Sequence, residues 1–160
     1  SANTWDYSVA VGYSAGTNSW GVAVGYDADA KADSVSLGAQ AIASAYTTSI
    51  GRSAGSGASG QDNVFLGYGA GSSNTNSDWF ILKNRNYSSL IEGNFATGNV
   101  MLGTSTDNGY KLDVNGTVNA NDFSAGGLAG YTGTITIDQS FSGLPPINIE
   151  VNGGIITNVT

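Results

Sequence analysis

The chain repeats a short apolar phrase every 13 residues near its N-terminus. Successive phrases read Ser-Val-Ala-Val-Gly, Gly-Val-Ala-Val-Gly and Ser-Val-Ser-Leu-Gly, and they end at Gly12, Gly25 and Gly38. A fourth copy ends at Gly51, and a fifth ends at Gly67 after a longer step of 16 residues. A fixed period of this length is typical of repeat architectures, in which each repeat is one structural unit that stacks on the next.

Each phrase alternates in the way that a β-strand requires, because successive side chains of a strand point to opposite faces. Thirteen residues accommodate two short strands and two tight turns, so stacked copies predict a parallel β-solenoid. We expect the Val, Leu and Ile columns to form a dry interior strip. We expect the opposite column, whose side chains are small, to pack on neighbouring copies of the chain as a homotrimer interface; its members are Ala10, Ala23, Ser36 and Ser49.

The composition excludes several classes of function. The 160 residues include no Cys and no His, so thiolate and imidazole metal sites and the usual Ser-His-Asp or Cys-His catalytic groups are impossible. The net charge is −7 and the five basic residues are scattered, which argues against nucleic acid as a partner. No segment resembles a signal peptide or a membrane span. We therefore expect no enzymatic activity, no cofactor and no membrane insertion.

The repeats resemble a known family. Ser-Val-Ala-Val-Gly-Tyr-Ser-Ala and Gly-Val-Ala-Val-Gly-Tyr-Asp-Ala, within residues 7 to 71, are similar to the head repeats of YadA-like trimeric autotransporter adhesins, which phage and prophage tail fibres also use. The resemblance implies a left-handed parallel β-roll, three copies of which form a homotrimer. Residues 63 to 123, with the phrase Lys-Leu-Asp-Val-Asn-Gly-Thr-Val, are similar to a segment of tail-fibre proteins.

The whole chain is therefore expected to be all-β, in three parts. Residues 1–75 would form the roll, 76–125 a β-rich connector, and 126–160 a small C-terminal tip module. Within the connector, Asn115-Gly116 lies between alternating apolar residues, which indicates a β-hairpin because both central turn positions require positive φ. In the tip, residues 147–151 and 154–159 flank Asn152-Gly153 and predict a terminal β-hairpin.

Two groups of side chains are candidate sites. Exposed aromatic rings beside Ser and Asn would suit sugar binding, although the same rings could fill gaps at bends or between chains; the candidates are Tyr13, Trp20, Tyr26 and Tyr68. Asp27 and Asp29 stand two residues apart and would share one face of a regular strand. They could bind a cation, but Ca²⁺ needs six or more oxygen ligands, so a solvated outer face is the simpler interpretation.

The resemblance implies a structural and receptor-binding protein. The chain would be the distal part of a trimeric phage or phage-like tail fibre, extracellular, joined to the rest of the fibre or baseplate. Its other partner would be a bacterial cell-surface receptor, either a glycan or an outer-membrane protein. The alternatives are the head of a bacterial trimeric adhesin, a polysaccharide depolymerase that uses carboxylates, and a monomeric ice-binding solenoid.

Overall fold

A computed structural model describes residues 7–85 and 87–120, and the strand backbone of 124–125, 128–129, 133–137, 147–152 and 155–159. The regular secondary structure of these residues consists of 17 β-strands, so the expected all-β class is confirmed. The chain divides into two compact units, residues 1–117 and 118–160. The candidate sites named above all lie in the first unit.

The repeats form a parallel β-solenoid, as their period predicts. The longer strand of each coil pairs in parallel with the equivalent strand of the next coil. Paired residues are 13 apart in the first four coils, as Val9 with Val22, and 16 apart between the fourth and fifth. These longer strands are β1 (Val9–Val11), β3 (Val22–Val24), β5 (Val35–Leu37), β7 (Thr48–Ile50) and β8 (Val64–Leu66). The first three coils then turn back through a two-residue strand, and these strands form a second parallel sheet of β2 (Gly16–Thr17), β4 (Asp29–Ala30) and β6 (Ile42–Ala43).

The glycine that ends each phrase is required by the close stacking of the coils. Gly25 has φ of 144°, and a Cβ atom at this position would lie 2.5 Å from the carbonyl oxygen of Gly38 in the next coil. Side chains essentially never approach backbone that closely, and few adopt this φ. The close approach also lets the turns bond from coil to coil, since the Asp27 amide donates to the Tyr13 carbonyl at 2.9 Å.

The interior of the roll is filled by the small column, not by the Val, Leu and Ile columns. Ala23, Ser36 and Ser49 are fully buried, whereas Val9 is 50% exposed and Val24 is 37% exposed. The expectation that the branched residues line a dry interior is therefore wrong. The physical reason is space, because each coil is only two strands thick and its opposite wall is also built from small buried residues: Ala15, Ala28, Ala30, Ala41, Ala43 and Ala54.

The fifth coil takes a large side chain in its interior. Phe65 pairs with Ser49 in the sheet, so its ring occupies the interior position that a hydroxyl holds one coil earlier. It is fully buried and belongs to a cluster with Ala54, Ala70 and Ile81. Gly71 leaves room for the ring, because a Cβ atom at that position would collide with it.

The same sheet continues past residue 75 into the segment expected to be a connector. Strand β9 (Trp79–Leu82) pairs in parallel with β8, and the antiparallel strands β10 (Ile91–Asn94) and β11 (Asn99–Leu102) follow. Strand β12 (Leu112–Val114) then pairs in parallel with β11. The Asn115-Gly116 hairpin prediction is wrong, because β12 finds its partner in β11 and residues 115–120 contain no strand.

The second unit contains two small sheets. Strands β13 (Ser124–Ala125) and β14 (Leu128–Ala129) pair antiparallel. Strand β16 (Ile147–Asn152) lies between β15 (Gly133–Ile137) and β17 (Ile155–Val159), antiparallel to both. Gly153 and Gly154, at the turn of the expected terminal hairpin, lie outside the described residues.

Candidate functional site

Two of the aromatic candidates form a stack along one edge of the roll. Tyr13 and Tyr26 occupy the same turn position in adjacent coils, with ring centroids 5.6 Å apart and planes inclined by only 8°. Both rings are mostly exposed, at 68% and 57%. Farther along this edge the Arg52 guanidinium lies over the Tyr68 ring, 5.6 Å from its centroid, a cation–π arrangement.

A second stack lies at the other turn of the coil. Trp20 stacks on Tyr7 with ring centroids 4.8 Å apart and planes inclined by 12°. Both residues have left-handed backbone, with φ of 63° and 57°, and Tyr46 repeats this geometry two coils after Trp20. Bulky residues rarely adopt such a backbone, which costs about 1–2 kcal/mol per residue.

These stacks hold flat rings at fixed positions on the outside of the roll. A ring that already contacts its neighbour needs little further ordering when a ligand covers its other face. The four predicted aromatic residues lie on two different edges of the roll. Tyr13, Tyr26 and Tyr68 lie on one edge, and Trp20 lies on the other. Each edge presents aromatic surface suited to C–H faces of sugars or to apolar side chains.

The outer face of the long sheet is apolar over nine consecutive strands. Each strand turns two side chains to this face, and none of them is charged: Val9, Val11, Val22, Val24, Val35, Leu37, Thr48, Ile50, Val64, Leu66, Phe80, Leu82, Ile91, Gly93, Val100, Leu102, Leu112 and Val114. We call this set the outer apolar face. At about 4.8 Å between strands it is about 40 Å long. Apart from the buried Gly93, its residues are partly or largely exposed in the single chain.

The small-residue column cannot be the interface that the sequence predicted. Ala23, Ser36 and Ser49 have no exposed surface; Ala10, in the first coil, is partly exposed but belongs to the same inward-facing column. Side chains enclosed within their own coil cannot contact another chain, so the premise of that assignment is lost. The sequence did not predict the outer apolar face, because Val is more apolar than Ala and the Val column was therefore expected to be interior. The Ala residues of the opposite strand of each coil were the signal that the interior is narrow and takes small side chains.

The structure places the two acidic candidates in different settings. Asp27 lies in a left-handed turn rather than in a strand, with φ of 54°. Asp29 lies in β4, and its carboxylate accepts a hydrogen bond from the Lys31 ammonium at 2.6 Å. Within residues 7–85 and 87–120, no three acidic, His or Cys side chains come together where an ion could bind.

One carboxylate has a shifted proton affinity, and its surroundings explain the shift. The pKa of Asp107 is lowered, first by the hydrogen bond from the Asn99 side chain at 2.9 Å and then by that from the Gly109 amide. Asn94 adds a third, longer bond at 3.4 Å. Asp107 thus holds the 103–110 loop against β10 and β11, and its role is structural.

No family model matches the sequence, and no curated protein or solved structure matches it either. The described part of the chain contains no helix long and apolar enough to cross a membrane. The aromatic edges and the outer apolar face are the exposed features of the roll that could contact another molecule.

Proposed function

We propose that the protein is the distal part of a homotrimeric fibre that attaches a phage or phage-like tail to a bacterial surface. The role is structural and adhesive rather than catalytic. The outer apolar face is the observation that carries this proposal. The largest apolar patches of soluble proteins cover a few hundred Å² and often mark interaction sites, and a strip about 40 Å by 10 Å is of that size.

Other copies of the same chain are the occupants that fit this face best. Each chain carries a net charge of −7, so identical chains repel one another except where they meet through uncharged surface. The face repeats with the spacing of the strands, so identical copies can align strand beside strand along its whole length. The number three and the left hand of the roll come from the resemblance of the repeats to trimeric adhesin heads.

Trimerisation through this face leaves the aromatic edges free. The stacks of Tyr13 with Tyr26 and of Tyr7 with Trp20 lie at the turns, beside the sheet rather than on its face. Three equivalent sites on one shaft, and several shafts on one particle, multiply a modest affinity. The acidic surface favours a neutral glycan or a surface protein as receptor over a polyanion. The alternative, the head of a bacterial trimeric adhesin, would assemble through the same face.

Light scattering on the full chain tests the assembly. We expect three times the 16.2 kDa chain mass. A double variant, Val24→Lys with Leu37→Glu, places opposite charges on strand partners within the outer apolar face and leaves the net charge unchanged. It should be a folded monomer, because assembly would bury both charges.

A matched variant provides the control. Tyr13→Lys with Tyr26→Glu makes the same charge change on an exposed edge and should remain a trimer. Labelled wild-type chain should bind cells of some strains in a panel of bacteria, and this control should bind them less well. A monomeric wild type, or a trimeric Val24→Lys/Leu37→Glu variant, would contradict the proposal.

A further inference from the structure

The structure contains a polar cleft that neither the repeat nor the outer apolar face accounts for. Two adjoining cavities, of about 270 Å³ and 360 Å³, share Lys83, Ser89, Glu92 and Ser105 in their walls. Residues 71–76 close one side of the first cavity, and residues 103–105 line the second. A binding pocket for a small ligand typically has a volume of about 300–1,000 Å³, so the combined space is of the right size.

The cleft lies on the opposite side of the sheet from the outer apolar face. Glu92 is the strand partner of both Ile81 and Met101, so these three side chains share one face. Phe80 and Leu82, on either side of Ile81, point the other way. Covering the outer apolar face with copies of the chain therefore leaves the cleft open.

Glu92 is the unusual member of the cleft. It is only 7% exposed and lies between two apolar strand partners, Ile81 and Met101. Within the described residues, its carboxylate takes part in no hydrogen bond or ion pair. Its carboxylate oxygens are not among the fully enclosed polar atoms, so they open into the cleft, where they can accept hydrogen bonds from water or from a ligand. A ligand with hydroxyl groups would provide the hydrogen-bond donors that the described residues do not give this carboxylate.

The rest of the lining defines the chemistry of that ligand. Ser72, Ser89 and Ser105 contribute hydroxyl groups and Asn74 and Asn76 contribute amides, all able to donate and accept. Trp79 lies on the same face of β9 as Ile81, and its half-buried ring adds a flat apolar wall. One Lys beside one Glu favours neither an anion nor a cation, and a single carboxylate cannot satisfy a divalent ion.

We propose that this cleft binds one or two units of a neutral saccharide. The sugar's C–H face would pack on Trp79, Glu92 would accept hydrogen bonds from two ring hydroxyls, and the Ser and Asn side chains would bond the remaining hydroxyls. The inference rests on the proposed function in one respect: it names a receptor chemistry, and it adds a binding site in the connector to the aromatic edges. It does not depend on the number of chains in the fibre.

Titration of the ¹⁵N-labelled full chain tests the site, with D-glucose, D-galactose, L-rhamnose and N-acetyl-D-glucosamine as probes. The indole N–H signal of Trp79 is identified by its loss in Trp79→Phe, since the chain has only three Trp residues. At least one sugar should shift this signal. Glu92→Gln should weaken that sugar's binding about tenfold, the effect of losing hydrogen bonds to a charged acceptor.

Two further variants keep the outcome interpretable. Asp27→Asn removes a carboxylate from an exposed turn and should bind as the wild type does. Ser105→Phe changes an exposed loop residue and should block the cleft without disturbing the sheet. No shift of the Trp79 signal with any of the four sugars, or full binding by Glu92→Gln and Ser105→Phe, would overturn the inference. Light scattering of the same samples shows separately whether the trimer proposal has failed.

Discussion

Ser36 and Ser49 are equivalent residues of adjacent coils, equally buried, but only the Ser36 hydroxyl has a hydrogen-bond partner. They are strand partners in β5 and β7, and neither has any exposed surface. The Ser36 hydroxyl donates to the Ala41 carbonyl at 2.7 Å. The Ser49 hydroxyl is buried and makes no hydrogen bond within the described residues.

The same substitution should therefore act in opposite directions at these two positions. Ser36→Ala should lower the free energy of unfolding by about 1 kcal/mol, because a buried hydrogen bond is lost. Ser49→Ala should raise it by about 1 kcal/mol, because a buried hydroxyl without a partner is removed. Urea unfolding followed by circular dichroism measures both. Equal losses of stability at both positions would show that the Ser49 hydroxyl is bonded after all.

Phe65 should be the most sensitive apolar position of the roll. Its ring is fully buried and packs against Ala54, Ala70 and Ile81. Phe65→Ala would leave a cavity that such small neighbours cannot fill, and should lower the free energy of unfolding by about 3–5 kcal/mol. Phe95→Ala is the matched control, since that ring is 56% exposed and its removal should change stability little. Similar losses from both variants would contradict the enclosed position of Phe65.

The period of the sequence was sufficient to predict the strands of the roll, but not which face of each strand points inward. The phrases that end at Gly12, Gly25 and Gly38 predicted parallel strands 13 residues apart, and this register is confirmed. The inward face was predicted from hydrophobicity, which favours Val over Ala. In a coil two strands thick, the available space decides instead, and in the first four coils the buried side chains of this column are small, such as Ala23, Ser36 and Ser49.

Side chains that meet only in the folded chain could not be found from the sequence. Glu92 stood within an apolar phrase, and its place beside the cleft depends on the antiparallel pairing of β9, β10 and β11. The stack of Tyr13 on Tyr26 was easier to predict from the sequence, because both residues follow a repeat glycine and so share one column. The Asn115-Gly116 pair predicted a hairpin that does not form, because β12 pairs with the preceding strand β11 instead of with a following strand.

Gly25 should tolerate no side chain. Its φ of 144° is unfavourable for other residues, and a Cβ atom would collide with the Gly38 carbonyl. Gly25→Ala should separate the second and third coils and lower the melting temperature sharply. Gly16→Ala is the matched control, because a Cβ there would lie 3.9 Å from the nearest atom. It should be neutral or should stabilise the chain by about 0.4–1 kcal/mol through the unfolded state. Equal melting temperatures for the two variants would show that the coils are not closely stacked.

The stability of the first unit should depend on the protonation of Asp107. The hydrogen bonds from Asn99 and Gly109 lower the pKa of this carboxyl below its ordinary value of 3.8, so the folded chain binds the proton more weakly than the unfolded chain. Its contribution is therefore complete at pH values above 3.8 and is lost as the pH falls through the lower pKa of the folded state. Asp107→Asn should lower the melting temperature at neutral pH, and its difference from the wild type should shrink as the solution is acidified. The matched variant Asp27→Asn, on an exposed turn, should leave the melting temperature at neutral pH close to that of the wild type. A difference between Asp107→Asn and the wild type that stays constant over this range would mean that the carboxylate charge does not hold the loop.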